Sequence, residues 1–151
     1  LAARVGKLLQ QYRVPAAQLI FEITENERVV DKDHLKRIVQ EYRRRGFKTA
    51  IDDFGAGYSG LNLLAEFQPD IIKLDMALIR DIDQSAEKQQ RLQQILAQCA
   101  LLGCKVLAEG VETAAELAYL AGQGIDWFQG YFFARPVPVA AVTSSARRSK
   151  P

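Results

Sequence analysis

Phe47-Lys48-Thr49-Ala50-Ile51-Asp52-Asp53-Phe54-Gly55-Ala56-Gly57-Tyr58-Ser59-Gly60, then after one short segment Asp70-Ile71-Ile72-Lys73-Leu74, is the stretch on which the fold turns. Phe47 to Asp52 is a short apolar run of the kind a buried strand shows. Glycines 55, 57 and 60 make a loop, and Ser59 is placed to cap a short helix, Leu61 to Phe67. Asp70 to Leu74 reads as a second strand. Strand, helix and strand in succession form a βαβ unit, which joins parallel strands.

The same rhythm extends outward on both sides. Upstream, Leu19 to Ile23 reads as a buried strand. His34 to Arg45 reads as a helix, with Leu35, Ile38, Val39 and Tyr42 at helical spacing and Gly46 at its end. The residues up to about Tyr12 form a further helix. Downstream, Ala86 to Leu102 is a long amphipathic helix stopped by Gly103, and Lys105 to Ala108 is a strand. Thr113 caps a helix running to Ala121, with Glu116 at capping-box spacing. Ile125 to Phe128 is a fifth strand, on which Trp127 reads as core. Strands alternating with helices predict a parallel sheet covered by helices. Both a doubly wound sheet and a (β/α)8 barrel satisfy that rhythm. A barrel normally takes about 250 residues, so about five βα units in 151 residues predict an incomplete (β/α)8 TIM-like barrel of the α/β class.

Composition narrows the partners. The chain is 25% charged and 48% hydrophobic, ordinary globular values, with a net charge of +2. So even a balance lacks the basic footprint of a nucleic-acid binder. Arg43-Arg44-Arg45 reads as a solvated helix face, Arg147-Arg148 as part of a tail, and His34 as solvated. Cys99 and Cys104 lack metal-site or redox spacing and read as reduced thiols, which points to a cytoplasmic location. No apolar run approaches the roughly 18 residues of a membrane span, and no signal peptide is visible. The chain begins at Leu1 rather than Met, within a helix by pattern, so a piece of a longer protein is expected, whose other parts could be membrane-anchored. Residues 1–138 are expected to form the barrel portion and 139–151 a flexible polar tail.

Polar residues close nearly every strand. Glu22 and Glu25 follow the first, Asp52 and Asp53 the second, Lys73 and Asp75 the third, Glu109 and Glu112 the fourth, and Gln129 the fifth. In a parallel barrel all strand carboxyl ends open onto one face, where barrel enzymes place their active sites. A single acid at a strand end is commonly a helix cap or a solvated turn; acids or amides at five successive strand ends point to a shared site. Clustered carboxylates need compensation, and cations supply it. Oxygen ligands without histidine or thiolate favour Mg²⁺ or Mn²⁺ over zinc. Adjacent Asp52 and Asp53 suit two ions about 3.5–4 Å apart, the arrangement used for attack on a phosphodiester. Lys73 is either a salt-bridge partner of these acids or a group that activates water; spacing does not separate the two. The glycine-rich loop beside the aspartates reads as a lid or coupling element.

Five segments in order, Phe21-Glu22-Ile23-Thr24-Glu25, Asp52-Asp53-Phe54-Gly55-Ala56-Gly57-Tyr58-Ser59, Ile72-Lys73-Leu74-Asp75, Ala108-Glu109-Gly110-Val111-Glu112 and Gln129-Gly130-Tyr131 with Arg135-Pro136, resemble the motifs of EAL-domain proteins over about residues 1–138. The resemblance implies a modified barrel that hydrolyses cyclic di-GMP to pGpG with two Mg²⁺ or Mn²⁺ ions in bacterial second-messenger signalling. It implies Glu22 and Asp52 as ligands of the first ion and Asp52, Asp53 and Glu109 as ligands of the second. It makes Lys73 the residue that holds or polarises the attacking water, assisted by Gln129. It casts Glu25 and Asp75 as supporting residues, Glu112 as the anchor of the glycine-rich loop, and Arg135 and Pro136 as substrate contacts. It also implies a homodimer through the loop after Asp53 and the following helices, coupled to an upstream sensory or GGDEF-type domain. The tripeptide Glu-Ala-Leu and the asparagine of the following strand, both belonging to the first ion's shell in the family, are not in the 151 residues. This chain by itself is therefore expected to be inactive and not an ordinary monomer. Gly60 stands where a second serine is usual. Two alternatives remain: a non-catalytic EAL-like receptor that binds cyclic di-GMP, and an unrelated metal-dependent barrel enzyme of aldolase or enolase type.

Overall fold

Five strands pair in parallel in the order in which they occur along the chain, in a computed structural model that describes residues 2–24, 32–55 and 61–138. They are β1 (Ile20–Ile23), β2 (Lys48–Phe54), β3 (Ile71–Leu74), β4 (Lys105–Ala108) and β5 (Trp127–Phe128). A doubly wound sheet reverses its strand order at a switch point. This one does not, so the barrel-type arrangement is the one the chain adopts. Among the described residues β1 and β5 are the two edges of the sheet.

The helices are α1 (Ala2–Tyr12), α2 (Lys32–Arg44), α3 (Leu61–Phe67), α4 (Met76–Ile79), α5 (Ala86–Leu102) and α6 (Ala114–Gly122), with one 3₁₀ turn at Ala16–Gln18. Their ends follow local chemistry. Ser85 Oγ accepts from Lys88 N at 3.4 Å to open α5. Thr113 and Glu116 close a reciprocal capping box on α6. Only α4 and the 3₁₀ turn lack a counterpart in the sequence reading, because neither is long enough to show a helical period.

The core lies between the sheet and the helices that cover it. Phe54, Leu64, Ile72, Leu74, Ile79, Ile82, Leu92 and Ile95 are each no more than 2% exposed. Burying an aliphatic side chain of this size contributes about 1.5–3 kcal/mol. An aromatic group joins β1 to α2: Phe21 stacks on Tyr42 with ring centroids 4.1 Å apart, and Phe47 packs against both. Both cysteines are free thiols, Cys99 buried and Cys104 partly so, as expected. Arg43, Arg44, Arg45 and His34 are exposed residues. No helix among the described residues is long and apolar enough to cross a membrane.

Trp127 departs from its reading as core. It is 37% exposed, with the Lys105 ammonium 4.7 Å from its ring centroid. The reason is its place: β5 is two residues long and has a neighbour on one side only among the described residues. Residues 139–151, read as a tail, and the glycine-rich loop at 56–60 lie outside the described residues.

Candidate active site

The polar ends of β1, β2, β3 and β4 meet on one side chain. Lys73 Nζ lies 3.0 Å from Glu22 Oε2, 3.1 Å from Asp52 Oδ1 and 2.9 Å from Glu109 Oε1. Glu22 is carried by β1, Asp52 by β2, and Glu109 follows β4 directly. Registry accounts for the convergence. Ile51 pairs with Ile72, and Lys73 with Leu107, so Asp52, Lys73 and Glu109 come together at the carboxyl ends of adjacent strands. The Lys73 side chain is 12% exposed and Glu109 19%, whereas Glu22 at 49% faces water.

A bulge shapes the middle of this cluster. Between the paired positions Ile51–Ile72 and Phe54–Leu74, β2 uses one more residue than β3. The extra residue lies at Asp52-Asp53, where Asp53 takes φ +55, a left-handed conformation that aspartate tolerates better than most residues. Asp53 N donates to Asp52 Oδ1 at 3.0 Å. Strict strand alternation would send consecutive side chains to opposite faces; a bulge relaxes that rule, as bulges beside active sites do. The ion pairs of Lys73 run to Glu22, Asp52 and Glu109.

Electrostatics fix the state of the lysine. Burial would lower its pKa, but hydrogen bonds to Glu109, Glu22 and Asp52 outweigh burial and hold it well above the ordinary lysine range. At neutral pH Lys73 is an ammonium that can donate but not accept a proton. Glu109 is pushed up, first by burial and further by the Asp52 charge, against the opposing pull of Lys73. With Asp53 alongside, carboxylates outnumber the ammonium, so the cluster carries excess negative charge that a further cation would offset. The donors are all oxygens, which suits a hard divalent ion. Among the described residues no group of three or more acidic, histidine or cysteine side chains is arranged as a closed metal-ligand set; the carboxylates gather on the ammonium instead.

The remaining sequence-selected residues surround the cluster. Gln129 is held beside Glu109 through its main chain: its amide donates to the Ala108 carbonyl at 2.9 Å, and its carbonyl accepts from Val111 N at 3.1 Å. Gly130 must be glycine, because a Cβ there would stand 2.1 Å from the Val111 carbonyl oxygen. Asp75 caps α4, its Oδ1 accepting from Ala77 N at 2.6 Å. Glu112 pairs with Arg80 at 2.8 Å. Its expected anchoring of the glycine-rich loop involves residues outside those described, as does Glu25. Arg135 lies over the Tyr131 ring at 4.8 Å, and both it and Pro136 are exposed. Sequence reasoning missed Arg80, and it read Glu116 only as a local cap. Neither had a sequence signal, since both contacts depend on how two loops meet.

A parallel α/β sheet in strand order, with carboxylates and a lysine gathered at its carboxyl ends, is the arrangement of a partial (β/α) barrel. The EAL domain family model matches residues 1–136, and the chain belongs to that family. It is 36% identical over 135 residues to the cyclic di-GMP phosphodiesterase PdeR of Escherichia coli K12, covering 89% of this chain and 20% of PdeR. It is 40% identical over 118 residues to the blue light- and temperature-regulated antirepressor BluF of the same organism, covering 78% of this chain and 29% of BluF. The manganese/cyclic-di-GMP complex of Klebsiella pneumoniae BlrP1 superposes with a TM-score of 0.84 at 43% identity, covering 89% of this chain and 34% of that one. The chain thus spans about a fifth to a third of these relatives' lengths.

Proposed function

We propose that these residues form the larger part of a phosphodiesterase site that hydrolyses cyclic di-GMP to pGpG within a complete EAL domain. The observation that carries the reading is the meeting of Glu22, Asp52 and Glu109, from three strands, on the single ammonium of Lys73 at 2.9–3.1 Å, in a chain of the EAL family. Glu22, Asp52, Asp53 and Glu109 would hold two divalent cations, Mg²⁺ or Mn²⁺. When bound, such ions polarise phosphate oxygens and lower the pKa of coordinated water. Lys73, fixed as an ammonium, orients the attacking water by donating to it and stabilises charge developing on the phosphate oxygens. Gln129 supports the same water from the β5 side. Asp75 and Glu112 steady the loops that follow β3 and β4, Glu25 supports the β1 end, and Arg135 and Pro136 contact the nucleotide. Water gives up a proton to solvent as its oxygen bonds to one phosphorus, the bond from that phosphorus to the 3′ oxygen breaks, the 3′ oxygen takes up a proton, and the ring opens. We further propose a homodimer through the loop after Asp53 and the following helices, with control from an upstream domain.

The relationship to an antirepressor favours a second reading, in which the site binds cyclic di-GMP and relays its presence to a partner without turnover. The experiment is a hydrolysis assay on a complete EAL domain containing these residues, with and without chelator, beside a nucleotide-binding measurement. Metal-dependent production of pGpG supports the enzyme. Turnover that survives chelation sinks the two-cation mechanism, and binding without turnover establishes the receptor.

A further inference from the structure

Glu116 is charged yet only 1% exposed. A buried carboxylate is costly unless its oxygens are hydrogen-bonded, and both are. Oε1 accepts from Asp81 N at 3.1 Å, and Oε2 accepts from Glu112 N at 2.9 Å and Thr113 N at 3.1 Å. Arg80 completes the group, 3.8 Å from Glu116 Oε1 and 2.8 Å from Glu112 Oε1. A capping-box glutamate needs only the amides at its own helix start. The bond to Asp81 spans 35 residues and serves no cap.

The two segments joined here are the ones that leave the candidate active site. One runs from Asp75 through α4 to Asp81, directly after β3, which carries Lys73. The other runs from Glu109 to Thr113. They also touch near their starts, where Met76 lies over Gly110: a Cβ on Gly110, at φ +72, would stand 2.6 Å from Met76 Cγ. The segments are therefore in contact at the site end and bonded at the far end.

We propose that Glu116 is a positioning residue whose carboxylate locks segment 75–81 to segment 109–113 and thereby sets Glu109 against Lys73. The catalytic consequence rests on the phosphodiesterase reading; the lock itself does not. Both carboxylate oxygens are needed, because each serves a different segment. Glutamine keeps one acceptor oxygen and turns an NH₂ group toward amides that can only donate. Aspartate is one methylene shorter and cannot span both sets.

The test uses a complete EAL domain that contains these residues, as Glu116→Gln, Glu116→Asp and Thr113→Ala. Thr113→Ala removes the hydroxyl that accepts from Glu116 N at 3.1 Å but leaves every bond to the carboxylate. Amide hydrogen exchange is measured first, without metal or nucleotide. Glu116→Asp is expected to speed exchange at Asp81 while Glu112 and Thr113 stay protected. Unchanged exchange at Asp81 would reduce Glu116 to a local cap and overturn the proposal. Turnover is measured next. Removing a group that orients metal-site residues typically costs 10- to 100-fold, so kcat should fall by about that factor in both Glu116 variants, with KM little changed and Thr113→Ala near wild type. A kcat within about twofold of wild type despite faster Asp81 exchange would also overturn it. If Glu116→Gln does not fold, Glu116→Asp carries both measurements. If the wild-type domain binds cyclic di-GMP without hydrolysing it, the phosphodiesterase reading fails, and the exchange result alone decides the lock.

Discussion

The Lys73 cluster and the Glu116 cluster solve opposite electrostatic problems. Around Lys73, side chains from three strands crowd one ammonium, and Glu22 remains 49% exposed. Around Glu116, one carboxylate is satisfied by three backbone amides and approached by Arg80, and it is 1% exposed. The first arrangement has excess negative charge and an open side, so it can take up a cation or a substrate. The second has its charge balanced by fixed donors and can only hold. Their acid–base behaviour differs accordingly. Burial pushes the Glu109 carboxyl up, whereas at Glu116 burial is outweighed by the amides of Glu112, Asp81 and Thr113 and by Arg80, and the pKa falls. Two carboxylates, one just after β4 and one in the first turn of α6, thus become a candidate ligand and a fastening.

The largest effects should come from emptying the open cluster. Glu109→Ala or Asp52→Ala in a complete EAL domain is expected to lower turnover by several orders of magnitude, since each removes a cation ligand and its charge. Activity above about a tenth of wild type in a steady-state assay would move that residue out of the ligand set and weaken the contrast between the two clusters.

Lys73→Ala should come next, with kcat down about 10²–10³-fold, the usual cost of one preorganised donor, and nucleotide affinity reduced much less. Single-turnover kinetics beside equilibrium binding would separate the two. An equal loss in both would make Lys73 a binding residue.

Glu116 should govern acid stability. Its folded pKa is depressed, so its contribution is present above the unfolded glutamate pKa of about 4.3 and is lost as pH falls through the folded value. Denaturant unfolding followed from pH 7 into the acid range should show a shallower acid decline for Glu116→Gln than for wild type. Parallel curves would mean that the carboxylate contributes no ionisation-linked stability.

Thr113→Ala, the smallest change, should cost about 1 kcal/mol, as loss of an N-cap does. A loss of 3 kcal/mol or more by thermal or chemical unfolding would show that the cap and the Asp81 bond are not independent.

Much of the fold was legible in the chain. α3, α5 and β4 have the bounds expected from apolar period and Gly103, because those signals are local and the elements regular. α4 was not legible, since four residues capped by Asp75 show no period. Trp127 was misread because an apolar run bounded by turn residues does not reveal whether a strand has neighbours on both sides. At the site, Glu22, Asp52, Lys73 and Glu109 could be selected as strand-end polar residues, and these four meet. The sequence left open whether Lys73 pairs with the acids, and the tertiary structure shows that it does.

The amino-acid sequence by itself determined the alternation of strand and helix, the caps, and the family to which residues 1–136 belong, because each depends on neighbouring residues or on motif order. Tertiary structure alone decided that the strands run in sequential order, that β2 bulges at Asp52-Asp53, that one ammonium gathers carboxylates from three strands, and that Glu116 reaches 35 residues back to Asp81. Those features arise from register and from the approach of segments distant in sequence. Local propensity carries no information about such distances; packing sets them.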